Sequence, residues 1–77
     1  MNDLADHDRK WQMHWRAKRA RALGEAEGYR LILRHEPNHR LARLMLRVCL
    51  EAAARRRTFE KRHEQYVARY EALDRAA

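Results

Sequence analysis

One proline governs what this chain can fold into. Its 77 residues hold two glycines and that single proline, and the good helix formers Ala, Leu, Arg, Glu and Lys dominate the rest. No stretch alternates like a strand. The only strong break is Arg34-His35-Glu36-Pro37-Asn38-His39. Proline pushes the residue before it out of the α region, cations ahead of it suit a helix C-terminus, and Asn38 is placed to cap a second helix. The expected fold is all-α: an antiparallel two-helix hairpin in one domain, residues 1–77. Helix 1 should run from about Asp3 to His35 and helix 2 from about Asn38 to Arg75.

The apolar pattern supports a hairpin. Leu4, Trp11, Trp15, Ala22, Ala26, Tyr29 and Leu33 recur at steps of 7, 4 and 3, the spacing of one helical face. Leu41, Met45, Val48, Ala52, Phe59, Tyr66, Tyr70 and Leu73 do the same on the second segment. Residues facing each other across an antiparallel hairpin have numbers of constant sum, here 74, which pairs Trp15 with Phe59 and Trp11 with His63. Gly24 and Gly28 weaken helix 1, each by about 1 kcal/mol against alanine. Either the helix bends there, or bare backbone admits another helix.

A chain this short buries only ~60% of its unfolded surface, so its own core is thin. Cys49 is the single cysteine; it cannot form an internal disulfide and fits a reducing, cytoplasmic setting. The acidic start, Asp3 to Asp8, is unlike a signal peptide, and basic residues cut every apolar run short of a membrane span. Tyr29-x3-Leu33-x3-Pro37-Asn38 resembles the end of a tetratricopeptide repeat's second helix. The Trp-x2-Leu-Gly-x2-Tyr pattern of that family's first helix is missing, so the resemblance implies no fold or function.

Eighteen Lys and Arg against eleven Asp and Glu leave a net charge of +7, which favours anionic partners. The register sets Lys18 and Arg19 against Arg56 and Arg55, with Arg16, Arg21, Arg57, Lys61 and Arg62 close by. Either these side chains snorkel along the seam, or they form a cationic waist for phosphates or carboxylates. Trp11 and Trp15 stand among these cations, as in arginine-rich RNA-binding helices, yet fall on the stripe that faces helix 2. Near the turn the apolar arc is too wide for one partner helix. Leu31, Leu46 and Leu50 are therefore expected at a protein interface, most simply a homodimer forming a four-helix bundle. The five histidines lack four-ligand metal spacing, no Gly-rich phosphate loop or catalytic constellation stands out, and no cofactor is implied. The leading expectation is a non-enzymatic nucleic-acid-binding protein. The rival is an interaction module, an adaptor, chaperone or inhibitor with an acidic protein partner, using the apolar surface near the turn.

Overall fold

A computed structural model describes residues 3–77. Two helices account for nearly all of it: α1, Asp3–His35, and α2, Arg40–Ala76. They lie side by side as an antiparallel hairpin about the proline turn, a rod of 59 × 14 × 13 Å. Glu36 to His39 form a β-turn closed by the His39 N–H donating to the Glu36 carbonyl at 3.0 Å, with Pro37 and Asn38 at its centre. The cap of α2 is His39, where the sequence suggested Asn38. Its backbone is extended, and Nδ1 accepts from the Ala42 N–H at 3.0 Å. Asn38 is occupied otherwise: Arg43 donates to its side-chain oxygen at 3.4 Å and to the Pro37 carbonyl at 2.9 Å.

The pairing register matches the mirror pattern. Trp15 stacks on Phe59 at 4.8 Å between ring centroids, and Trp11 lies nearly parallel to His63 at 6.2 Å. Arg56 meets Lys18, and Cys49 meets Glu25. Each of these pairs sums to 74.

The rotation of α2 differs from expectation. The line that it buries runs through Ala42, Cys49, Ala53, Glu60 and Val67, one residue on from the stripe of large apolar side chains. Leu41 is 61% exposed, and Val48, Phe59, Tyr66 and Leu73 are exposed as well. On α1 the fully buried apolar residues are Ala5, Ala22 and Ala26, while Leu4 and Trp11 stay open. Buried and half-buried positions 5, 8, 12, 15, 19, 22, 26, 29 and 33 of α1 alternate steps of three and four, as do 42, 46, 49, 53, 56, 60, 63, 67 and 70 of α2. That is a heptad repeat, the pattern of a two-stranded coiled coil. The fully buried apolar positions on this line are small, while Trp15, Tyr29, Leu33, Leu46 and Tyr70 on the same line are half-buried and further large side chains lie along the two flanks.

The resulting core is thin. Apart from alanine, the buried apolar residues among those described are Cys49 and Val67, and the one large fully buried side chain is Glu60. The accessible surface is 6135 Å², against about 5,000 Å² for a compact monomer of this mass. The radius of gyration is 17.5 Å, where a compact domain of this length would have about 11–12 Å. α1 continues without interruption through Gly24 and Gly28, and a Cβ at either glycine would meet nothing within 4 Å. Helix 2 is thus not what approaches that bare backbone. No helix among the described residues is long and apolar enough to cross a membrane.

Gly24→Ala should stabilise the hairpin by about 1 kcal/mol, since the methyl enters open space and the unfolded chain loses freedom. Ala26→Leu should cost about 1–3 kcal/mol by forcing the helices apart. Urea denaturation followed by circular dichroism measures both.

Candidate functional site

Between Arg9 and Leu23 on α1, and between Ala52 and His63 on α2, the sequence offers one carboxylate, Glu60. It sits on the seam, fully buried. Three of the expected anion-binding cations converge on it. Arg16 donates from Nε to Oε1 at 3.1 Å, and Arg57 Nη1 stands 3.0 Å from the same oxygen. Arg19 Nε lies 3.1 Å from Oε2, but its N–H is not directed at that oxygen, and both atoms are buried without a hydrogen-bond partner. Burial alone would raise the Glu60 carboxyl. The hydrogen bond from Arg16 and the charges of Arg19 and Arg57 outweigh it and hold the group below its ordinary value. Opposition of like charges at the waist is relieved by this one residue, which the apolar pattern did not single out. Its signal was present in the sequence: an acid alone among cations, three residues from Arg57 and seven from Ala53.

The remaining expected cations have other surroundings. Arg56 donates from Nη1 to the Lys18 carbonyl at 2.7 Å, so the facing pair meets through backbone oxygen instead of through two charges. Lys18 lies over the Trp15 ring at 5.7 Å and Arg62 over Phe59 at 5.5 Å. Arg69, which the residue pattern had not marked as an anion-binding position, lies over Tyr66 at 6.0 Å. Arg21 and Arg55 are exposed, and neither makes an ion pair or hydrogen bond among the described residues. Lys61 is exposed beside Arg57 and Glu64, in a shallow depression.

These contacts divide the rod lengthwise. One flank of the seam holds ion pairs, Arg9 with Asp6 and Glu71, Arg30 with Glu27, and Arg57 with Glu60 and Glu64. The other flank carries Trp11 and Lys18 of α1 with Phe59 and Tyr66 of α2, and Arg21, Arg55, Arg62 and Arg69 extend it outward at helical steps of three and four. Five cations stand there, and among the described residues Glu25 is the sole carboxylate on that flank, already accepting from the Cys49 thiol at 3.9 Å. Lys18, Arg62 and Arg69 rest on aromatic faces, which attract them without neutralising them.

The rings form a connected cluster. Trp11 meets the edges of His7 and His14 and donates from its indole N–H to His7 Nε2 at 3.2 Å. His63 sits 6.3 Å from Tyr66, and its Nδ1 is 2.7 Å from the buried Asp8 carboxylate. Trp11 nevertheless remains 42% exposed. Among the described residues no three His, Cys, Asp or Glu side chains gather as a metal-binding group. Cys49 is buried on the seam. Of the expected protein interface, Leu31 and Leu50 are exposed, whereas Leu46 is half-buried at a seam position.

Because the Glu60 carboxyl titrates lower in the folded chain, its stabilisation is present above the ordinary carboxylate range and is lost as pH falls through the folded value. Glu60→Gln should therefore cost roughly 1.5–3 kcal/mol at neutral pH. The gap from the parent protein should narrow as pH falls below the ordinary carboxylate range. Urea titrations at pH 7 and pH 3 provide the comparison.

No protein-family model, curated protein or solved structure matches the chain, so its functional reading rests on its own residues.

Proposed function

We propose that this is a non-enzymatic nucleic-acid-binding protein that grips phosphates along its aromatic flank, through Lys18, Arg21, Arg55, Arg62 and Arg69, and that two hairpins associate as a four-helix bundle. The supporting observation is the division of the rod: five cations on one flank face rings and solvent, while Arg9, Arg16, Arg30 and Arg57 of the opposite flank are held by carboxylates. An arriving phosphate would displace no existing ion pair at these five positions. Arg forks suit phosphate oxygens, and exposed Trp11, Phe59 and Tyr66 add flat apolar surface on which unpaired bases can stack. Arg16, Arg19 and Arg57 contribute less to this grip, since Glu60 engages all three.

The second reading is an interaction module for an acidic protein. It draws on the exposed apolar residues around the turn, among them Leu31, Ile32, Leu41 and Leu44. Such a partner would bind irrespective of added nucleic acid.

Anisotropy titration of labelled single-stranded DNA and RNA at two salt concentrations tests the proposal. Five phosphate contacts predict a slope of log K against log salt near −3.5 to −4.5. Replacing Arg55, Arg62 and Arg69 together by alanine should lower the magnitude of the slope by about 2–3. Replacing Arg16 and Arg57 should change it less. Absence of binding at low salt overturns the proposal.

A further inference from the structure

The aromatic flank changes character towards the turn. Beyond Glu25 and Ala52 the same helical positions hold Gly28, Ile32 and His35 of α1 and Leu41, Met45 and Val48 of α2, with no Lys or Arg among them. Ile32, Leu41 and Val48 are exposed, Met45 is half-buried, and a Cβ at Gly28 would meet only open space. This is a largely apolar surface, free of Lys, Arg, Asp and Glu, on a chain of net charge +7. We infer that the apolar turn end of this flank docks onto the same surface of a second copy, with the two rods antiparallel and overlapping only at their turn ends.

This inference rests on the pairing proposed for the two hairpins and names its surface and geometry. Exposed area calls for a partner. The hairpin exposes about 1,100 Å² more than a compact monomer of its mass would. A standard interface removes about 800 Å² from each partner, so one such contact takes up most of the excess. It would also supply the large apolar side chains that the alanine seam lacks.

Charge supplies the orientation. Rods aligned parallel along this flank would bring five cations of each copy against five of the other. A full-length antiparallel overlap would press each cationic half onto the partner's apolar end. Overlap restricted to the turn ends joins apolar surface to apolar surface and leaves each cationic half free at an opposite end of the assembly. A two-fold axis through the patch satisfies the requirement that the surface be self-complementary. Gly28 and Ala52 would then present little side-chain bulk where helices of the two copies cross.

Sedimentation and small-angle X-ray scattering test the inference on the full chain. A rod of 59 Å paired at its turn end should give a dimeric mass and a maximum dimension of about 90 Å, from an overlap of about 25 Å at 1.5 Å per residue. Leu41→Glu and Val48→Glu should each halve the mass with helical circular dichroism retained, whereas Leu31→Glu and Leu50→Glu should remain dimeric. A dimer only about 60 Å long, or one broken by Leu50→Glu and not by Val48→Glu, overturns this surface while leaving pairing itself intact. A monomer at every concentration overturns both.

Discussion

The closeness of the two helices is the constraint from which the rest of the structure follows. Alanines at 5, 22, 26, 42 and 53 are buried where the backbones face each other. A line of methyl groups allows close approach but buries little apolar area per turn, so the pair is long because it cannot be deep. Many of the large side chains, among them Leu41, Val48, Phe59 and Tyr66, lie to the sides. One flank consequently fills with ion pairs within and between the helices, the other with tryptophan, phenylalanine and tyrosine beneath arginine and lysine. The proposed binding surface is thus a consequence of what the seam excludes.

Glu60 has a particular place in this arrangement. A buried carboxylate is costly to desolvate, and its arginine partners offset that cost only where the geometry brings them to it. Across the seam it reaches both Arg16 and Arg19. Slipping the helices by one heptad would put Arg9 and Gln12 in place of Arg16 and Arg19 in one direction and Leu23 and Ala26 in the other, so one or both of its cationic partners across the seam would be lost. Alanines tolerate such slippage, since one resembles another, so this acid supplies register that the apolar seam does not. The Asp8 contact with His63 acts similarly towards the open end.

The hairpin, its turn and its axial register could all be read from residue order, because proline chemistry and mirror spacing do not depend on tertiary detail. The rotation of α2 could not. Leu41, Val48, Ala52, Phe59 and Tyr66 have the same steps as Ala42, Cys49, Ala53, Glu60 and Val67, displaced by one residue, and periodicity alone cannot choose between two stripes of equal period. Hydrophobicity favours the larger residues, whereas the seam selects for size. The same assumption obscured Glu60, because a carboxylate is not sought on a buried line. Asn38 looked the better cap by residue type, but the turn needs both Pro37 and Asn38 at its centre, which moves the cap to His39. Of the expected cations, Lys18, Arg21, Arg55 and Arg62 stand on the aromatic flank, while Arg16, Arg19 and Arg57 are held by Glu60.

The proposed activity depends on this partition, since the same number of arginines spread over ion-paired positions would present much weaker attraction to a phosphate chain. Its most direct measurement is residue-resolved: NMR titration of the labelled protein with a short single-stranded oligonucleotide. The largest shifts should fall on Trp11, Arg55, Phe59, Arg62, Tyr66 and Arg69, with Arg9, Arg30 and Glu64 little moved. Shifts concentrated on the ion-paired flank, or none at low salt, would contradict a phosphate grip on the aromatic flank.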